Sequence, residues 1–147
     1  MISTELARAL RDSGLTWEPV AGDWFRIDRV EADEDTFILS DMTVEAHQFD
    51  TGTVLGFNGT TEWALDSVAI DDALWLPRED QLRQLLGAAF RSLERVERAE
   101  SIDGVSLTAS AYRVSTVVDG ERREVEAMDA ADAYARALIV LLDSVAG

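Results

Sequence analysis

The chain holds one imidazole, His47, and no thiol, so acid–base or metal chemistry would have to rest on that histidine or on carboxylates. A histidine working as general base needs a nucleophile beside it and a carboxylate to orient it. Nothing around His47 singles out such a set, and a lone histidine in a strand-like run, Met42 to Phe49, reads as structural. Glu31, Asp33, Glu34 and Asp35 crowd four carboxylates into five positions, with a spacing superficially like that of a calcium loop. The loop glycine and closing glutamate of the EF-hand pattern are missing, so the run reads as a solvated loop. The glycine-containing stretch Gly56-Phe57-Asn58-Gly59-Thr60-Thr61 lacks the Gly-Lys-Ser/Thr ending of a phosphate-binding loop. With no lysine anywhere, a Walker A site is excluded. Around Arg78-Glu79 the glycine and paired helical glutamates of a Nudix-type arrangement are absent. No catalytic, metal or cofactor site is therefore assigned. A metal-dependent or small-molecule enzyme, the opposing reading, would draw on Glu45, Glu62, Asp66, Asp71 or Asp72.

Composition narrows the partners. There are 29 acidic residues against 13 basic ones, all arginine, for a net charge of −16 in 147 residues. Phosphate backbones and anionic lipid surfaces repel such a molecule, which argues against nucleic-acid and membrane binding. A basic protein partner would be attracted, although acidity also serves solubility. The absence of lysine fits a GC-rich genome. The absence of cysteine suits a reducing compartment, and neither a secretory leader nor an apolar run of membrane-spanning length is seen, so a cytoplasmic location is expected. At this length a single domain over 1–147 is expected, and 47% hydrophobic residues suffice for a core.

The elements follow from turn signals and periodicity. Ser3 to Ser13 reads as a helix with Ser3 as N-cap, Leu6 and Leu10 on one face and Ser13-Gly14 as its stop. Trp24 to Ile27 and Thr36 to Leu39 read as short strands. Asp50-Thr51-Gly52 suits a hairpin loop. Asn58-Gly59 suits a type I′ turn that would set Val54 opposite Trp63 and Leu55 opposite Glu62, unless Thr60 to Ser67 forms a helical turn instead. After a brief strand at Ala73 to Leu76, Pro77 opens an amphipathic helix whose stripe is Leu82, Leu85, Leu86, Ala89, Phe90 and Leu93. Gly87 interrupts it, so Phe90 to Val96 reads either as the end of that helix or as a strand. Val105 to Ala111 alternates. Asp119-Gly120 predicts a two-residue turn that sets Val114 opposite Val125 and Arg113 opposite Glu126. Asp129 and Asp132 mark the start of a last helix with Tyr134, Leu138, Leu141, Leu142 and Val145 as its stripe.

Three segments carry a resemblance: Ser40-Asp41-Met42-Thr43-Val44-Glu45, Gly56 through Ser67, and Trp75-Leu76-Pro77-Arg78-Glu79-Asp80-Gln81-Leu82. Over about residues 36 to 93 they look like short actinobacterial proteins often labelled as pilus-assembly proteins. That resemblance implies no catalytic residue. The localisation factors behind the label resemble P-loop ATPases, and a chain without lysine cannot share their site.

These readings combine into an α+β fold, an antiparallel meander-like sheet of about five to seven strands with N-terminal, middle and C-terminal helices. The expected role is a non-enzymatic protein-interaction or accessory domain without cofactor, a neutraliser of a basic toxin being one special case. Trp17 is the interaction candidate. It follows a helix stop, precedes Glu18-Pro19 and joins no alternating pattern, whereas Trp63 and Trp75 lie in apolar segments that call for burial. The competing role for Trp17 is a staple between the first helix and the sheet.

Overall fold

A computed structural model describes residues 1–28, 36–39, 45–49, 52–56, 67–69 and 72–146, with the backbone alone for 45–49, 52–56 and 67–69. The chain is α+β, and it divides into two compact units, 1–15 with 78–147, and 16–77.

The first unit contains the helices α1 (Thr4–Asp12), α2 (Glu79–Leu86) and α3 (Ala130–Ala146) and the strands β7 (Phe90–Ile102), β8 (Val105–Val118) and β9 (Glu121–Ala127). Ser3 caps α1 by accepting from the Leu6 amide at 3.3 Å, while its own amide donates to Asp132 in the first turn of α3 at 2.7 Å. Asp129 caps α3 by accepting from the Ala131 amide at 2.8 Å. Helix α3 is the hub, in contact with α1, α2, β8 and β9. Its buried residues are Ala131, Ala133, Tyr134, Ala135, Ala137 and Leu138, and the four alanines let neighbouring elements approach closely. Leu10, Leu82, Leu86, Val114 and Val118 complete this core, each worth about 1.5–3 kcal/mol on burial. Val145, expected on the buried stripe, is exposed, because it lies in the last turn.

Helix α2 stops where Gly87 takes φ +54°, a left-handed conformation that favours glycine. A short 3-10 turn at Gly87–Ala89 then delivers the chain into β7, so Phe90 to Val96 is strand and the helical stripe does not extend to Leu93. Strands β7, β8 and β9 form an antiparallel meander. Asp119 (φ 52°) and Gly120 (φ 79°) make the expected tight turn, and Val114 pairs with Val125 and Arg113 with Glu126.

The second unit holds two further three-stranded antiparallel sheets. In one, β1 (Trp24–Ile27) lies between β2 (Thr36–Ile38) and β6 (Ala73–Leu76). In the other, β4 (Gly52–Gly56) lies between β3 (Glu45–Phe49) and β5 (Ser67–Ala69). The nine strands of the described residues thus fall into three sheets, and not into one meander of five to seven. The Phe49–Gly52 pair closes the expected hairpin. Val54, however, pairs with His47 on one side and Ala69 on the other, and Leu55 with Ala46 and Val68. Both edges of β4 are filled, and Glu62, the partner expected for Leu55, lies outside the described residues. Asn58-Gly59 and Trp63 lie outside the described residues.

Candidate interaction surface

Strand β8 is twice as long as β9. β9 pairs with β8 over Tyr112–Val118, whereas β7 accompanies β8 to its far end at Val105. Beyond Ala127 the sheet therefore continues as a two-stranded ribbon, closed by Asp103 (φ 51°) and Gly104 (φ 78°) between the paired Ile102 and Val105. On its outer side, Val105 to Ala111 has no strand partner among the described residues.

The register sorts the ribbon into two faces. Successive strand residues alternate sides, and paired residues share one. Tyr112, Val114, Thr116 and Val118 lie on the helix-packed side, which in the ribbon carries Ser106, Thr108 and Ser110. The other side carries Val105, Leu107, Ala109 and Ala111 on β8, with Ile102, Glu100, Arg98 and Val96 respectively opposite them on β7. Ile102 is 53% exposed, Val105 57% and Leu107 50%. Three large apolar side chains thus stand together on one face at the tip.

At the base of the same face lies an ionic lattice. Arg98 of β7 donates to both carboxylate oxygens of Glu126 on β9 at 2.7 Å. β8 separates these strands, and on this face it offers Ala109 and Ala111, over which a long arginine can pass. Arg113, in the middle strand, meets Glu126 at 3.3 Å, Glu94 at 3.7 Å and Glu124 at 3.8 Å. Single exposed pairs contribute little, but this network ties all three strands together.

Elsewhere in the first unit an open groove is lined by Glu79, Asp80, Arg83 and Gln84 of α2 and Tyr134 of α3. Burial raises the Tyr134 phenol above its ordinary value, with Arg83 opposing and Glu79 adding to the shift. A phenol held protonated is a poor base or nucleophile. Arg83 itself is spread over the Phe90 ring, 4.6 Å from its centroid, and Phe90 lies 5.8 Å from the Tyr134 ring. The groove is organised by packing.

Trp17 belongs to the second unit. Its indole N–H donates to Asp23 at 2.9 Å, a buried carboxylate that also accepts from the Val20 amide at 3.0 Å. Its ring stands 5.6 Å from Phe25 and is stacked at 6.5 Å on Trp75. The side chain is half-buried against the cluster of Phe25, Leu39 and Ala73.

The acidic run Glu31 to Asp35, and Glu62, Asp66 and Asp71, lie outside the described residues. Glu45 and His47 are on β3, two positions apart, and Asp72 accepts through its carbonyl from the Asp28 amide at 2.6 Å. Among the described residues no three of His, Asp and Glu gather as a metal-binding group, and no helix is long and apolar enough to cross a membrane. Sequence reasoning passed over the ribbon tip, whose signal is Asp103-Gly104, the same dipeptide as at 119–120. No family model, curated protein or solved structure matches the chain.

Proposed function

We propose that this chain is a non-enzymatic protein-interaction or accessory domain whose contact surface is the ribbon face bearing Ile102, Val105 and Leu107. The observation that carries the reading is the gathering of these three exposed side chains on one face of a ribbon that runs past its third strand. Contiguous exposed apolar surface of this kind marks contact sites, and an open strand edge beside it adds backbone hydrogen bonds for a partner. The net charge of −16 favours a protein partner over nucleic acid or an anionic membrane. A chain without cysteine suits the cytoplasm.

The test is affinity capture from the source organism with the wild-type chain and with an Ile102→Ser, Val105→Ser, Leu107→Ser variant. A partner retained by the wild type and lost by the variant supports the ribbon as the contact surface. Equal recovery on both overturns it.

A further inference from the structure

We infer that the occupant of the ribbon is a second copy of this chain, paired edge to edge through β8 about a two-fold axis at Leu107. This rests on the ribbon being the contact surface and names the partner. The first ground is electrostatic. Two molecules of charge −16 repel, so they can meet only where charge is sparse. Val105 to Tyr112 contains no charged residue, and the surrounding ribbon sets Glu94, Glu97, Glu100 and Asp103 against Arg95, Arg98 and Arg113. The edge is also undefended, since neither a charge nor a proline interrupts it, the devices that ordinarily keep strands from pairing between molecules.

The second ground is self-complementarity. A two-fold interface brings one surface against itself. When β8 meets its own copy antiparallel, odd positions must face odd positions, or the apolar side chains of one copy would fall beside the hydroxyls of the other. That leaves registers centred on a residue. The chain leaves β9 at Ala127, beside Tyr112, and passes on through the exposed Met128 towards α3, so the incoming strand must end before it reaches Tyr112. Centring on Leu107 meets this requirement. Leu107 then faces Leu107 of the second copy, Val105 faces Ala109, and Ser106 faces Thr108, while the 103–104 turn arrives opposite Ser110 and Ala111. The two ribbons join into one continuous sheet with their apolar faces on the same side.

The experiment is sedimentation of the full chain from about 1 to about 100 μM, a span covering dissociation constants of weak to moderate dimers. The wild type is expected to form a dimer, favoured by added salt because screening relieves the net repulsion. Leu107→Glu and Leu107→Arg each set like charges face to face on the axis and should each weaken the dimer at least about tenfold. Mixed one to one, the two variants should recover it. Circular dichroism establishes that both variants are folded. A wild type that stays monomeric over the whole range overturns the self-pairing. A dimer that both variants leave intact overturns it too, and so does a mixture that fails to associate. Loss of self-pairing alongside a foreign protein captured through the apolar face would refute this inference and leave the interaction role standing. Capture unaffected by the serine variant would remove that role itself.

Discussion

Arg98 and Glu126 meet at 2.7 Å although a strand lies between them, and through Glu126 the pair joins the lattice that converges on Arg113. Glu126 accepts from Arg98 and from Arg113, whereas among the described residues Arg98 has Glu126 as its one carboxylate partner. Arg98→Ala is therefore expected to cost no more than about 1 kcal/mol, as for an exposed pair. Glu126→Ala should cost roughly 1 to 2 kcal/mol, because the half-buried Arg113 loses its nearest partner as well. Urea denaturation of the two variants gives the comparison, and amides of 97–111 should exchange faster in Arg98→Ala.

Gly104 and Gly120 occupy equivalent left-handed turn positions, at φ 78° and 79°, with open space around each. Alanine at either meets no clash and adds only the backbone cost, about 1 to 2 kcal/mol. The readout should differ. Gly120→Ala strains a turn between core strands and should lower the melting temperature, whereas Gly104→Ala should loosen ribbon amides in hydrogen exchange while the melting temperature hardly moves.

Trp17 fills space between Phe25 and Trp75 and holds the buried Asp23. Trp17→Ala should destabilise by about 3 kcal/mol. Trp17→Phe retains much of the packing but leaves Asp23 without the indole donor, and should fall between. Urea unfolding followed by circular dichroism checks the order.

The Tyr134 phenol is raised above 10.0 chiefly by burial. Its folded state therefore holds the proton more tightly than the unfolded chain does. The resulting stability is fully present below pH 10.0 and is lost as pH rises through the folded value. Tyr134→Phe should flatten that alkaline decline, as read by unfolding free energies on either side of the phenolate transition.

Duplex DNA should not bind measurably at physiological salt, since the net charge opposes counterion release. Arg91, Arg95 and Arg98, three arginines within eight positions of β7, make no free patch: Arg91 donates to the Ala88 and Phe90 carbonyls, Arg95 to Ser110 and Arg98 to Glu126. A salt-sensitive gel shift would contradict this.

What could be read in the sequence was what short range decides. Asp119-Gly120 fixed its own turn, and the turn fixed the Val114–Val125 and Arg113–Glu126 pairs. Ser3 and Asp129 announced their helices by capping chemistry. The stripe from Leu82 to Leu93 was ambiguous because its period runs through Gly87 unchanged, and the break is a backbone torsion that a side-chain pattern does not record. Val54 pairs with Ala69, a longer-range choice that no local turn signal records. The apolar tip was invisible for a related reason. Ile102, Val105 and Leu107 share a face only once the Asp103-Gly104 turn has set Ile102 against Val105.

A photo-reactive amino acid placed at Leu107, with a second placed at the exposed Val145 of α3 as control, tests the ribbon as contact surface most directly. Irradiation in cells should give a discrete adduct, to this chain or to another protein, from position 107 and none from 145. An adduct from 145 with none from 107 would contradict the account.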